Sequence, residues 1–155
     1  MYPSPYIRFK STRQEREWFE GTRGESSRDL LHPALYVLVL AAAHWHYLRV
    51  GQPAVVTHIL RTGNEQRSIY PGSPDRRSPH EFGRAADLRT RDLAPETAGE
   101  WEAWINNTFP YHGKEGALTA LLHQIGNRGQ HLHLQVGPLE AHPPVIETFI
   151  QSTLT

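Results

Sequence analysis

The sequence predicts a single α+β domain in which helices cover one face of a mainly antiparallel sheet. Three patterns predict this class: apolar residues recur at helical spacing before residue 48, β-branched residues fill residues 54–60, and apolar and polar residues alternate over residues 130–136. The 155 residues suffice to bury one core without disulfides, and the chain has no cysteine. We expect residues 1–29 to form an arm and a short helix within the same domain as residues 30–155.

The N-terminal elements are predicted to be two helices that follow an extended arm. Prolines and tyrosines in residues 1–10 indicate an arm that lies on the domain. A short helix is expected over residues 12–19, and an apolar core helix from residue 30 or 33 to residue 48. On this second helix, His44 and His46 are two positions apart and therefore face different directions. We expect each to be a surface or a hydrogen-bonded core histidine.

The middle of the chain contains two predicted strands separated by a long polar segment. The first strand covers residues 54–60, and the second covers residues 84–90. Residues 61–77 carry several turn signals and are expected to be irregular, which in a compact domain is often a sign of function. A helix is expected over residues 95–107, because a proline suits its first turn and an apolar stripe follows.

The C-terminal part is predicted to add a hairpin and a terminal helix. In the preceding helix, Trp101 and Trp104 are expected to pack in the core rather than to form a platform for sugars. Residues 117–125 and 130–136 are expected to pair as a hairpin, since the Gly-Asn-Arg-Gly segment between them accepts positive φ angles. A short helix is expected to begin at Pro143 or Pro144 and to end at residue 154.

Composition argues against several classes of function. The 16 basic residues balance the 16 acidic ones, so no overall field favours nucleic acid or an anionic membrane. The longest apolar run, residues 35–43, is too short to span a bilayer. The first eight residues are polar and interrupted by prolines, so we expect no signal peptide and synthesis in the cytoplasm. We also expect a monomer.

Five arginines could form a basic rim, but no recognised nucleic-acid reader motif surrounds them: Arg61, Arg67, Arg76, Arg77 and Arg84.

Ten histidines in a chain without cysteine direct attention to histidine and carboxylate chemistry. Strand alternation places His131 and His133 on one face of a strand and its leucines on the other. The leucine face must be core, so both imidazoles face solvent or a cleft. If the hairpin is centred near Arg128, His123 lies across from His133 and adds a third imidazole.

A second stretch, residues 78–87, supplies a histidine and a carboxylate seven residues apart. A proline and a glycine within it argue against one continuous helix, so the stretch must turn. Placed beside the hairpin, His80, Asp87 and His133 would form a set of two histidines and one carboxylate with an open fourth position. Catalytic zinc takes such a set and lowers the pKa of a bound water.

Other interpretations of these residues remain open. Histidine pairs are common on exposed strands, and an aspartate near Arg84 and Arg89 is ordinarily a surface ion pair. A non-haem iron oxygenase also uses two histidines and a carboxylate, but its first histidine and carboxylate normally lie one residue apart. That class is therefore disfavoured.

Residues 78–87 contain the pattern Ser-x-His-x-x-Gly-x-Ala-x-Asp, and a histidine on a strand follows late in the chain. The residues of the pattern are Ser78, His80, Gly83, Ala85 and Asp87. This pattern resembles the signature of the M15 zinc peptidases. That group includes the D-Ala-D-Ala carboxypeptidases, the phage L-alanyl-D-glutamate endolysins and the hedgehog N-terminal domain.

The resemblance extends upstream and spans roughly residues 30–136. Residues 55–62 with Glu65 and Gln66 resemble the family strand that ends in an arginine and is followed by a Ser/Thr and a Gln. The resemblance implies a hedgehog-like, D-Ala-D-Ala peptidase-like fold, zinc as cofactor, and cleavage of peptide bonds in peptidoglycan stem peptides. The protein would be a phage or prophage lysis enzyme that acts at the cell wall, after holin-type release or as part of a virion.

The resemblance also implies roles for single residues. The zinc ligands would be His80, Asp87 and His133. Arg61 would neutralise a developing oxyanion or a substrate carboxylate, the alternative being a surface arginine at the end of a strand. Ser78 would either hydrogen-bond the substrate or cap the turn before the first zinc ligand.

The general base departs from the family pattern. Many members carry an acidic residue three positions before the last zinc ligand, where this chain has Gln130. Other members of the wider fold group use the first histidine of a His-x-His instead, and this assigns the role of base to His131. If His131 fails in that role, the alternative is a catalytically weak or inactive zinc-binding domain that serves as a virion or binding module.

Overall fold

The computed structural model describes residues 4–21, 31–73, 75, 77–124 and 129–138. This part of the chain forms one α+β domain with a mixed five-stranded sheet and four α-helices. The strands are β1 (Ile7–Phe9), β2 (Ala54–His58), β3 (Ala85–Arg89), β4 (Ala120–Gln124) and β5 (Gln130–Gln135). The helices are α1 (Thr12–Glu20), α2 (Pro33–Val50), α3 (Gly63–Ile69) and α4 (Pro95–Thr108), and a 3-10 turn covers Pro79–Phe82.

The sheet has the strand order β1-β2-β3-β5-β4. The β2–β3, β3–β5 and β4–β5 pairs are antiparallel, as predicted for most of the sheet. The exception is β1, which belongs to the predicted N-terminal arm and pairs in parallel with β2. The central strand is β3, and it is bonded to a neighbour along both edges.

One face of the sheet packs on helices and forms the core. Leu88, Leu132 and Leu134 on this face are fully buried with residues of α2 and α4. Trp101 of α4 is also fully buried, and its Nε1–H donates to the carbonyl of α2 residue Ala42 at 3.0 Å. Trp104 packs against this core, which confirms that the two tryptophans serve packing. Within the described part of the chain, no helix has the length and apolar character needed to cross a membrane.

The core helix α2 is capped at both ends by its flanking residues. His32 caps its first turn, with Nδ1 accepting the N–H of Ala34 at 3.1 Å, and Gly51 ends it with φ of 72°. His44 lies on the surface of α2, whereas His46 is buried and donates Nδ1–H to the carbonyl of residue 52 at 2.9 Å. The expected roles of both histidines are thus confirmed.

The segment expected to be irregular, residues 61–77, instead contains the helix α3. Thr62 Oγ1 accepts the N–H of Glu65 at 3.1 Å, and the Glu65 carboxylate accepts the N–H of Thr62 at 2.7 Å. This reciprocal capping box satisfies two donors at the helix start, so that a short polar helix forms despite the turn residues around it. Its Thr-x-x-Glu signal is present in the sequence.

A β-bulge interrupts the pairing of β2 with β3. Val56 pairs with Leu88, whereas His58 pairs with Asp87, so β2 has one more residue than β3 between these pairs. The extra residue is Thr57, whose Oγ1–H donates to the carbonyl of Asp87 at 3.1 Å. The bulge therefore places His58 on the same face of the sheet as Asp87.

The hairpin of β4 and β5 forms as predicted, but the expected histidine pair is wrong. His123 pairs with His131, and His133 pairs with Leu121. The observed register is centred one position earlier along the chain than expected, and such a shift changes the partner of every residue by two positions. The tip of this hairpin, residues 125–128, and the expected terminal helix lie outside the described residues.

Candidate metal centre

The structure brings together the three residues that the sequence selects as metal ligands. Asp87 Oδ1 lies 3.2 Å from Nε2 of His80 and 2.8 Å from Nδ1 of His133. One ligand atom from each of the three residues lies within 4.8 Å of the other two. A tetrahedral zinc ion with bonds of about 2.0–2.1 Å separates its ligand atoms by about 3.3 Å. Small adjustments of the side chains would thus fit a metal ion, and the chemistry of two imidazoles with one carboxylate suits zinc.

His80 is held by the 3-10 turn that follows Ser78. The Ser78 hydroxyl accepts the N–H of His80 at 3.4 Å, the Glu81 carboxylate accepts the N–H of Ser78 at 2.8 Å, and Gly83 ends the turn with φ of 63°. The ring donates Nδ1–H to the carbonyl of Ile59 at 2.6 Å. This bond leaves the lone pair on Nε2, which is the nitrogen that faces Asp87.

Asp87 and His133 occupy paired positions of β3 and β5, so their separation is set by the sheet itself. Asp87 is 5% exposed and His133 is 8% exposed. The alternative that Asp87 forms a surface ion pair with nearby arginines is therefore wrong. Arg89 instead pairs with Asp92 at 3.6 Å.

The electrostatics of the cluster suit a cation. Burial opposes ionisation of Asp87, but the His80 and His133 imidazoles hold the pKa of Asp87 well below its usual value. Burial lowers the pKa of His80, with Asp87 acting in the opposite direction. An ionised carboxylate beside a neutral imidazole is the protonation state that metal binding requires.

The ligand trio lies at the wall of a cleft of about 240 Å³ on the sheet face opposite the core. The cleft is also lined by the three residues to which the resemblance gives catalytic or substrate roles, Arg61, Ser78 and His131. Gln66 and Tyr70, from α3 and its C-terminal end, complete one side of it. The resemblance includes Gln66 without giving it a role, and Tyr70 was missed in the sequence, because the helix before it was not predicted.

Arg61 is 7% exposed, so it is not a surface arginine at the end of a strand. Its Nη1–H donates to Oε1 of Gln66 at 2.9 Å, and its Nε–H donates to Nε2 of His58 at 3.4 Å. Its Nη2 lies 4.0 Å from Oδ2 of Asp87. The buried Glu17 of α1 accepts the N–H of the preceding Leu60 at 3.2 Å, which anchors this segment to the first helix. The guanidinium is thus held beside the cluster from several sides.

Ser78 serves as the cap of the turn that carries His80, as the capping alternative for this residue predicts. It also lines the cleft. A contact between Ser78 and a substrate stays a prediction.

Four further histidines differ in their position relative to the cluster. His58 lies beside the cluster, with its ring centroid 5.1 Å from that of His80, and burial together with the neighbouring His80 lowers its pKa to about 3. His123 and His131 line the cleft with their ring centroids 4.5 Å apart. His112 lies away from the cleft, in the loop after α4, where its carbonyl oxygen faces Gly137. The sequence left the roles of His58, His112 and His123 open, because the position of His58 depends on the bulge and that of His123 on the hairpin register.

Comparisons with models of known protein families, with curated proteins and with solved structures find no match to this chain. The functional assignment therefore depends on the geometry of the site and on the motif resemblance.

Proposed function

We propose that this protein is a zinc-dependent peptidase of the M15 type, with a hedgehog-like fold, that cleaves peptide bonds in the stem peptides of bacterial peptidoglycan. The observation that carries the proposal is the buried trio His80, Asp87 and His133 at the wall of a cleft. In this setting the protein would act at the bacterial cell wall, as a phage or prophage lysis enzyme. The spacing of the motif residues along the chain supports the family assignment.

The trio is suited to zinc because each ligand atom is already selected by its surroundings. The hydrogen bond to Ile59 directs Nε2 of His80 toward the cluster, and the ladder between β3 and β5 holds Asp87 against His133. Zinc bound by these three atoms would supply a polarised water and a Lewis acid. The side chains around the cleft would carry out the rest of the chemistry.

His131 has the geometry of a general base. It donates Nδ1–H to the carbonyl of Gly129 at 3.4 Å, so its Nε2 carries the lone pair. That nitrogen lies 3.8 Å from Oδ2 of Asp87, beside the ligand trio. Nε2 would accept a proton from the attacking water and donate it to the leaving amine. Gln130 cannot take this role, because an amide does not accept a proton near neutral pH.

Arg61 would bind the carbonyl oxygen of the scissile bond as it becomes negative, or a carboxylate of the substrate. A buried guanidinium interacts strongly with such a group, since water does not screen it. Its contacts with His58 and Gln66 hold it in place before substrate binds. Ser78 lies at the same cleft and would donate its hydroxyl hydrogen to the substrate backbone.

A catalytically weak or inactive zinc-binding domain, acting as a virion or binding module, is the second candidate. The observation that favours it is Gln130, which stands in place of the acidic base of many related enzymes. Both candidates bind zinc, so metal content cannot separate them.

Digestion of purified peptidoglycan by the zinc-loaded protein separates the two candidates. We expect mass spectrometry to detect new peptide ends with the wild type, and none with His131→Ala or His133→Ala. Stoichiometric zinc binding without any cleavage would instead support the binding module. The new ends would also identify the bond that is cut.

A further inference from the structure

The carboxylate of Asp87 faces two different pairs of histidines. Its Oδ1 lies closest to His80 and His133, the two other members of the ligand trio. Its Oδ2 lies 3.8 Å from Nε2 of His131, and His131 pairs with His123 across the β4–β5 ladder. One ligand atom from each of Asp87, His123 and His131 lies within 4.8 Å of the other two. A single carboxylate therefore belongs to two potential sets of metal ligands.

Two nitrogen atoms of the second set are buried and lack a hydrogen bond within the described residues. Nε2 of His123 and Nε2 of His131 are shielded from solvent and have no hydrogen-bond partner among the described residues. The lone pair of His131 is on this buried Nε2, because Nδ1–H donates to the carbonyl of Gly129. A buried polar atom without a partner destabilises a fold unless a ligand provides the missing interaction. Both nitrogens are ring atoms of a type that coordinates divalent metals.

We infer that Asp87, His123 and His131 form a second cation site, in which the two oxygens of Asp87 bridge two metal ions. Two imidazoles and a carboxylate suit zinc at this position as they do at the first. In proteins with two metals, the ions lie about 3.5–4 Å apart and often share such a bridging group. The second site lies in the same cleft as the first.

The second ion should bind more weakly than the first. Nη2 of Arg61 lies 4.0 Å from Oδ2 of Asp87, the oxygen that the second ion would use. Repulsion between the guanidinium and a cation opposes binding there, and a first ion on Oδ1 adds to this repulsion. The second site would therefore fill only after the first, at higher free zinc.

Filling the second site would stop the proposed peptidase, and this consequence rests on the proposed function. The lone pair of His131 would bind the second ion, so Nε2 could no longer accept a proton. Excess zinc would thus inhibit an enzyme that stoichiometric zinc activates. The metal count itself does not depend on catalysis.

Equilibrium dialysis against increasing free zinc, with the bound metal counted by native mass spectrometry, tests the second site. We expect two ions per wild-type chain at high zinc, one ion in His123→Ala, and two ions in the control His44→Ala, which alters an exposed histidine of α2. Arg61→Gln should fill the second site at lower free zinc than the wild type. His123→Gln serves as a second variant if the alanine variant does not fold.

Saturation of the wild type at one ion, or two ions in folded His123→Ala or His123→Gln, would overturn the inference. A peptidoglycan assay at stoichiometric and at excess zinc adds an independent readout, in which the ratio of the two activities is compared within each variant. Loss of activity at excess zinc in the wild type but not in His123→Ala supports the inference. If no peptidoglycan is cut under any condition, the proposed function fails, while the metal count still decides on the second site.

Discussion

Asp87 and His133 face each other across the central ladder of the sheet, with Oδ1 of the carboxylate 2.8 Å from Nδ1 of the imidazole. Both residues are buried, and neither depends on a loop for its position. The relationship makes Asp87 the residue on which the whole cluster depends, because its two oxygens face His80, His131 and His133 at the same time.

Replacing Asp87 with asparagine should abolish tight zinc binding. Loss of a side chain that only supports a ligand costs about 10–100-fold in affinity, so loss of the charged ligand itself should cost more than about 100-fold. Isothermal titration calorimetry would measure the change. Asp92→Asn is the matched control, since Asp92 is an exposed carboxylate near the end of the same strand. Wild-type affinity in Asp87→Asn would contradict the assignment of the ligand trio.

Zinc should stabilise the folded protein, because the unfolded chain does not hold the three ligands together. Free zinc at about 100 times the dissociation constant would add about 2.7 kcal/mol to the free energy of unfolding. For a domain of this size, that corresponds to a rise of about 5–10 °C in Tm. Differential scanning fluorimetry with zinc and with a chelator measures the difference. The Asp87→Asn variant should show no such rise.

Changing Arg61 to glutamine should lower kcat against peptidoglycan by about 100–1000-fold, as removal of one oxyanion donor does in other enzymes. The first zinc ion should still bind, since Arg61 is not a ligand. Arg49→Gln is the control, because Arg49 is an exposed arginine that pairs with Glu100 far from the cleft. Unchanged kcat in Arg61→Gln would remove Arg61 from the chemistry and leave it a role in packing.

Changing Ser78 to alanine should lower the free energy of unfolding by about 1 kcal/mol, because the turn that carries His80 loses its cap. Urea unfolding monitored by circular dichroism measures this loss. Thr62→Ala removes the equivalent cap of α3 and provides a comparison. If Ser78 also binds substrate, KM should rise in Ser78→Ala and stay constant in Asp92→Asn, which alters an exposed carboxylate. An equal KM in both variants would restrict Ser78 to capping.

His46 should make the stability of the metal-free protein depend on pH. Burial lowers the pKa of His46 in the folded state, although the bond to Gln52 partly opposes this. The unfolded chain therefore takes up a proton at His46 at higher pH than the folded chain does. The contribution of His46 is fully present above about pH 6.5 and is lost as the pH falls below that value. Urea unfolding between pH 7.5 and pH 5 should show a smaller loss of stability in His46→Gln than in the wild type. A change of the same size in His44→Gln, which alters an exposed residue of α2, would contradict this explanation.

The sequence predicts the parts of this structure that depend on periodicity. The alternation in β5 correctly separates Leu132 from His133, since a residue buried against helices and a residue in a cleft must differ in polarity. The proline and glycine that flank His80 correctly predict a turn there. These local signals place His80 in a turn and His133 on the polar face of its strand, while the pairing of β3 with β5 brings Asp87 beside His133.

The remaining features depend on contacts between distant segments. The observed hairpin register is centred one residue away from the expected one, so that His123 pairs with His131 instead of His133. The burial of Arg61 depends on Gln66, which lies on a helix whose only clear signal is a capping box. Neither the register nor the burial can be obtained from periodicity, because both arise from pairing and packing between elements.

The single extra residue in β2 changes which face of the sheet the following side chains occupy. Val56 faces the helices, and strict alternation would place His58, two positions later, on the same apolar face. Thr57 resets the alternation, so that an imidazole emerges beside Arg61 instead of within the apolar layer. At this strand, one extra residue thus decides whether His58 lies on the core face or on the face that carries the cleft. Deletion of Thr57 would make Val56 and His58 consecutive, so that β2 would reach the same two partners on β3 without a bulge.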